Sequence, residues 1–239
     1  MRDFDVLVIN LEGSDERLES VRHMLDREQI AWRRMPAVDG RHGMQEGDYD
    51  YDESAAIIRH DRPLNTGEIG CYLSHIKALR MFLAGEAACA VVLEDDIDIP
   101  SGTFENLKAI AAKLDEFYGD KWDCVNFGSA QRPQFKDTGF TENGIEVRRS
   151  TYMPLSTLGI MWTRSGAEAY LNSRKFAVLW IRKCARTLRD AGGPLSPLTP
   201  LQAVWIFQAR LPFLDYTRSP KAKKAALHAV KSCGIFQII

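Results

Sequence analysis

The chain has 239 residues, 45% of them hydrophobic and 10% aromatic, with a formal net charge of −1. That composition fills a core and excludes a disordered chain, and a charge so close to neutral argues against a dedicated nucleic-acid binder. The five cysteines, Cys71, Cys89, Cys124, Cys184 and Cys233, are odd in number and form no CxxC pair, so a zinc ribbon, a thioredoxin-like motif and a disulfide framework all lose support; they read as small buried hydrophobes of a reducing compartment.

Residues 4–11 form a short apolar run rich in Val, Ile and Leu, the pattern of a buried strand. Ser14 offers an N-cap, with Asp15 and Glu16 in the first turn, and Leu18, Val21 and Leu25 follow at helical spacing. Residues 32–38 predict a second strand closed by Asp39-Gly40, and the five acids between Glu46 and Glu53 predict a solvated loop. Thr66 opens a helix whose apolar stripe is Ile69, Tyr72, Ile76, Leu79 and Leu83. Residues 88–93 predict a central buried strand. A helix carrying Phe104, Leu107, Ala111, Leu114 and Phe117 then leads to a strand over 122–127. This alternation predicts an α/β fold, a sheet with crossover helices. Further on, Asn143-Gly144 is a hairpin signal, residues 158–162 predict a strand, residues 165–171 a helix, and residues 201–208 a helix-like segment after a Gly/Pro-rich loop.

Glu94, Asp95, Asp96 and Asp98 follow the central strand directly. Four carboxylates in five residues repel one another and raise one another's pKa unless a cation neutralises them. Ligands of open α/β sheets bind beyond the carboxyl ends of the strands. Oxygen-only ligands suit magnesium or manganese bridging to substrate phosphates. Two readings follow: a divalent-metal site for a diphosphate-bearing substrate, or a surface loop of solvated acids. Position after the most apolar strand favours the first.

Several motifs together carry a family resemblance: Val8-Ile9-Asn10-Leu11 with Arg17 after it; Ala37-Val38-Asp39-Gly40; Leu64-Asn65-Thr66-Gly67-Glu68-Ile69-Gly70-Cys71 leading to Leu73-Ser74-His75; and Val92-Leu93-Glu94-Asp95-Asp96. In this order and spacing the sequence resembles glycosyltransferase family 25. The resemblance implies a single-domain α/β fold of GT-A type, a Rossmann-type mixed sheet flanked by helices. It would occupy residues 1–209, with a nucleotide-sugar-binding half over 1–127 and an acceptor half over 128–209. It further implies an inverting transfer of a hexose, galactose first among them, from a UDP-sugar with Mn2+ or Mg2+ as cofactor. A saccharide or glycolipid such as lipooligosaccharide would be the acceptor, and no nucleic acid would be a partner.

By the same resemblance Asn10, Leu11, Arg17, Asp39, Ser74, His75, Glu94 and Asp95 are the nucleotide-sugar-binding residues. Glu94 and Asp96 take the places of a DxD-type motif. Asp96-Ile97-Asp98 is itself a literal DxD, so the metal ligands are drawn from Glu94, Asp96 and Asp98 with the register open by two residues. Each of these residues also has an ordinary reading. Arg17 could pair with Asp15 or Glu19 on the surface, His75 could be a satisfied helix histidine, and Ser74 could bond back to its own helix.

The chain departs from the family pattern at Leu198-Thr199-Pro200-Leu201-Gln202, where a Pro-x-Asp segment is expected. An amide at Gln202 cannot act as a base. The catalytic base is therefore sought at Asp190, Asp215 or Glu142, and the alternative is a catalytically degenerate nucleotide-sugar or glycan-binding module. Residues 210–239 form a basic C-terminal segment, with Arg210, Arg218, Lys221, Lys223, Lys224 and Lys231 against Asp215. It reads either as a peripheral contact with an anionic membrane or as a solvated helix face. No apolar run reaches the roughly 20 residues a spanning helix needs, and the first residues lack signal-peptide character. The expectation is a cytoplasmic protein, with peripheral contact at the inner face of the membrane.

Overall fold

Val6, Leu7, Val8 and Ile9 are all buried although successive side chains of a strand point to opposite faces. Both faces of this sheet are therefore covered, and the apolar run at the start of the chain is its consequence. A computed structural model describes residues 3–42, 51, 53–60, 62–128, 135–150, 156–172 and 206–210. The elements in chain order are β1 (Phe4–Asn10), α1 (Asp15–Arg27), β2 (Arg33–Pro36), a 3-10 turn (Gly40–His42), α2 (Glu53–His60), α3 (Thr66–Leu83), β3 (Cys89–Glu94) and α4 (Thr103–Tyr118). They continue with β4 (Cys124–Asn126), β5 (Phe135–Glu142), β6 (Ile145–Ser150), β7 (Gly159–Thr163), α5 (Arg164–Asn172) and β8 (Ile206–Arg210).

The strands form one mixed sheet in the order β2-β1-β3-β7-β4-β8-β6-β5. β1 runs parallel to both β2 and β3, β7 is antiparallel to β3 and β4, and β8 runs parallel to β4 but antiparallel to β6. On one face Val6, Val8, Val91 and Leu93 pack against Val21 and Leu25 of α1 and Leu107, Ile110 and Leu114 of α4. On the other, Leu7, Ile9, Ala90 and Val92 pack against Tyr72, Ile76, Leu79 and Phe82 of α3 and Tyr170 of α5. The result is the expected α/β fold, a mixed sheet between helices in a single domain.

Two local expectations change. Residues 206–208 are not helical: they begin β8, paired in register with 124–126 and with the far end of β6. Pairing on both edges overrides local preference there, as tertiary context does generally for strands; residues 201–205 lie outside the described residues. Ser14 occupies the N-cap position of α1 without a capping hydrogen bond, because its Oγ instead accepts from Arg17 Nη2 at 3.0 Å. α3 begins at Thr66 as expected, with Asn65 as its N-cap in a capping box with Glu68. The Asn143-Gly144 turn is as expected, with φ of 50° and 77° between β5 and β6. Most of the acidic stretch 46–53 lies outside the described residues.

Candidate active site

The register of β1 against β3 places Ile9 beside Glu94, so Asn10 and Asp95 leave the sheet side by side at its carboxyl edge. Asn10 Nδ2 donates to Asp95 Oδ2 at 2.7 Å and to the Ser14 carbonyl at 3.0 Å, while its Oδ1 accepts from Arg34 Nε at 2.9 Å. Arg17 Nη1 lies 3.0 Å from Asp95 Oδ1, and the Leu11 backbone N–H also donates to this carboxylate. Arg17 is thus bound to Asp95, 78 residues away in sequence, and its helix serves to bring a cation over the end of β3. Asp95 is only 7% exposed. Burial pushes its carboxyl above the usual range, with Asn10 and Arg17 pulling the other way.

Glu94 belongs to a different group. Its side chain faces α3, where Cys71 and His75 stand one turn apart on the same side of the helix. Glu94 Oε1 is 3.1 Å from His75 Nε2 and 3.5 Å from Cys71 Sγ, and it also accepts from Thr157 Oγ1, just before β7. Burial alone would raise the Glu94 carboxyl. The hydrogen bond and charge of His75, joined by Thr157 and Cys71, outweigh it and hold the group below the ordinary carboxylate range. Burial and the neighbouring Glu94 charge push the Cys71 thiol far up.

Asp96 and Asp98 are exposed on the turn that follows. The Asp96 carboxyl is pushed up to about 6, first by desolvation of its inner portion and then by the charges of Glu94 and Asp95. Arg17 offsets these charges only in part, and the open carboxylate oxygens of Asp96 and Asp98 are the hard donors that manganese or magnesium takes. These two residues fit the implied metal. Glu94 Oε1 is already engaged by the three hydrogen bonds that converge on it.

Ser74 and Asp39 have other partners. Ser74 Oγ donates to the Gly70 carbonyl at 2.6 Å and accepts from the Val38 N–H at 2.8 Å, so it ties α3 to the segment after β2. That segment approaches α3 so closely that a Cβ on Gly40 would lie 1.7 Å from the Thr66 carbonyl oxygen. One on Gly70 would lie 2.7 Å from the Val38 carbonyl oxygen. Asp39 pairs with Arg41, Oδ2 to Nη2 at 2.7 Å, on the surface.

The structure thus gathers Asn10, Leu11, Arg17 and Asp95 into one cluster, sets His75 and Glu94 in a second, and leaves Asp96 and Asp98 open beside them. Glu142 ends β5 at the opposite edge of the sheet, with four strands between it and β3. Asp190, Asp215 and Gln202 lie outside the described residues. Cys71, Thr157 and Arg34 were assigned no role from the sequence. The spacing of Cys71 and His75 by four residues on a helix was the available signal for the first, while Thr157 and Arg34 are brought in by tertiary structure alone.

Residues 4–184 match the sequence profile of Glycosyltransferase family 25 (LPS biosynthesis protein). Among curated proteins, a glycosyltransferase 25 family member of Anopheles gambiae is 29% identical over 178 residues, covering 73% of this chain and 29% of that protein. One of Drosophila melanogaster is 31% identical over 173 residues, covering 71% and 28%. Procollagen galactosyltransferase 1-A of Xenopus laevis is 27% identical over 177 residues, covering 71% and 28%. The chain therefore spans less than a third of the length of these relatives. The profile match runs from β1 through α5 and takes in every residue of both clusters, and on that ground the chain belongs to glycosyltransferase family 25.

Proposed function

We propose that the chain is a metal-dependent hexosyltransferase that moves galactose from a UDP-sugar to a saccharide acceptor, with inversion at the sugar carbon. The reading is supported by family membership, by the galactosyltransferases among the relatives, and above all by the carboxyl edge of β1 and β3. There a buried Asp95 is clasped by Asn10 and Arg17 next to the open carboxylates of Asp96 and Asp98. The printed family description, an LPS biosynthesis protein, supports lipooligosaccharide as the acceptor class.

The chemistry asks two things of the chain. Charge developing on the departing diphosphate has to be neutralised, and the acceptor hydroxyl has to lose its proton. A divalent cation on Asp96 and Asp98 would supply Lewis acidity toward the leaving group. Asn10 and Asp95 hold the end of β1 against the end of β3 and fix the loop that carries those carboxylates. Arg17, 41% exposed and braced by Asp95 and Ser14, offers a guanidinium suited to a phosphate or ribose oxygen. The His75–Glu94 pair anchors the last residue of β3 to α3, so the turn bearing Asp96 starts from a rigid point.

Calorimetric titration with UDP tests this reading. Binding in the presence of manganese should weaken at least tenfold, about 1.4 kcal/mol, when EDTA replaces the metal or when Asp96→Asn replaces the native chain. Binding indifferent to both changes would overturn the metal dependence. Strong metal-dependent binding without galactose transfer to any saccharide offered would favour the binding-module alternative raised by Gln202.

A further inference from the structure

We propose that Cys71, His75 and Glu94 form a site for one borderline-soft divalent cation, of which zinc is the type, chemically distinct from the oxygen-only carboxylates of Asp96 and Asp98. One donor atom from each residue, Sγ, Nε2 and a carboxylate oxygen, lies within 4.8 Å of the other two. Tetrahedral zinc with bonds of about 2.3 Å to sulfur, 2.05 Å to nitrogen and 2.0 Å to oxygen requires edges of about 3.5 Å from sulfur to oxygen and about 3.3 Å from nitrogen to oxygen. The distances here are 3.5 Å and 3.1 Å. Two of the three edges therefore match a ligand geometry, and the third, between sulfur and the imidazole, is no longer than 4.8 Å.

The scaffold suits such a site. Cys71 and His75 project from one face of α3, whose N-terminus is fixed by the Asn65–Glu68 capping box, and Glu94 is held by pairing with Ile9 on one side and by its N–H to the Leu158 carbonyl at 2.9 Å on the other. His75 is 1% exposed, whereas Glu94 is 23% exposed and Cys71 is half-buried, so one side of the triangle opens outward for ion entry and for a water as fourth ligand. Thr157 Oγ1 hydrogen-bonds Glu94 and lies 3.6 Å from Cys71 Sγ, an outer partner that orients two of the donors at once. Sulfur and imidazole favour zinc over manganese or magnesium, which prefer carboxylate oxygen.

The proton balance is simple. The neutral Cys71 thiol loses its proton to solvent and binds as the thiolate. His75 gives up the Nε2 proton it donates to Glu94, to solvent or to its own Nδ1, and binds through the freed lone pair, while Glu94 is already a carboxylate. Each ion taken up releases at least one proton.

Cobalt(II), which takes zinc geometries and reports sulfur ligation by a thiolate-to-metal charge-transfer absorption, is the probe. The full chain, reduced and freed of added thiol, is titrated with cobalt and then with zinc. One equivalent of cobalt should develop the charge-transfer band with at least one proton released, and zinc should bleach it. Cys71→Ser should abolish the band, His75→Gln should weaken cobalt binding at least tenfold, and Asp96→Asn should leave the band in place. Far-ultraviolet circular dichroism confirms that each variant is folded. A native chain that develops no band overturns the proposal, as does a band that survives in folded Cys71→Ser. Since no nucleotide is present, the outcome is independent of whether UDP binds.

Discussion

Two carboxyl groups separated by a single residue are driven in opposite directions. Glu94 is held below its ordinary range because His75, Thr157 and Cys71 donate to it despite its burial. Asp96 is raised to about 6 because it is partly desolvated beside two other acids. For Asp96 the folded value exceeds the unfolded value of about 3.9. Folding therefore disfavours its charged form, and the penalty is fully present above pH 6 and disappears as pH falls below the unfolded value. In EDTA, Asp96→Asn should raise the thermal midpoint at pH 7.5 by the equivalent of about 1 kcal/mol. That figure is set well below the unscreened shift because the side chain is exposed. The gain should shrink to nothing near pH 3.5. A series of melting curves from pH 3.5 to 8 checks this. A constant difference across the range would show that Asp96 is not under strain from its neighbours. An acid site that destabilises its own fold in the absence of a cation is what a metal-loading site should look like.

At the scale of elements, α3 does three jobs with three sets of residues, and they explain why its sequence is less regular than an apolar stripe demands. Ile76, Leu79 and Phe82 fill the core; Cys71 and His75 reach Glu94; Gly70 and Ser74 receive the segment after β2. Gly70→Ala would bring a methyl to 2.7 Å from the Val38 carbonyl oxygen and 2.9 Å from the Gly40 nitrogen, both backbone atoms that yield only if the helix shifts. The expected loss is about 1–3 kcal/mol, or roughly 2–12 °C in the melting midpoint. An unchanged midpoint would mean that the helix and the segment after β2 separate freely. Apart from α2, the main strands and helices through residue 127 were legible because apolar periodicity records which face is buried. The acidic turn was legible because four like charges after a buried strand need a reason. What the sequence could not reveal was pairing. Nothing local tells Arg17 to choose Asp95 over Glu19, or brings Thr157 to Glu94. Residues 206–208 are strand only because β4 and β6 flank them. Glu94 and Asp96 look alike in sequence, and only the fold turns one toward α3 and leaves the other exposed.

At the scale of the whole molecule, the sheet separates two apolar layers, and each contains one of the largest fully buried side chains. Trp122 belongs to the layer with α1 and α4, and Trp162 to the layer with α3 and α5. They differ in one respect. Trp122 Nε1 donates to Asp115 Oδ1 at 2.8 Å, which ties the end of α4 to the approach to β4. Trp162 Nε1 is buried without a hydrogen-bond partner among the described residues. Replacing either indole by phenylalanine removes similar volume, and cavities of similar size weaken the core by similar amounts. Trp122→Phe also forfeits a hydrogen bond to a charged group, whereas Trp162→Phe removes an N–H that already bears a desolvation penalty. Trp122→Phe should therefore be the more damaging by about 1–3 kcal/mol, read as the difference between the two variants in urea unfolding at pH 7.5. Equal losses would mean that Trp162 Nε1 finds a partner after all, in water or in the segments that follow α5. The comparison also tests whether the layers behave as one unit. The β3 strand contributes Val91 and Leu93 to one layer and Ala90 and Val92 to the other, so damage to either layer should loosen the strand end that carries Glu94, Asp95 and Asp96. Either variant should accordingly lower the urea midpoint through a single transition, with the carboxyl edge of the sheet and the core lost together.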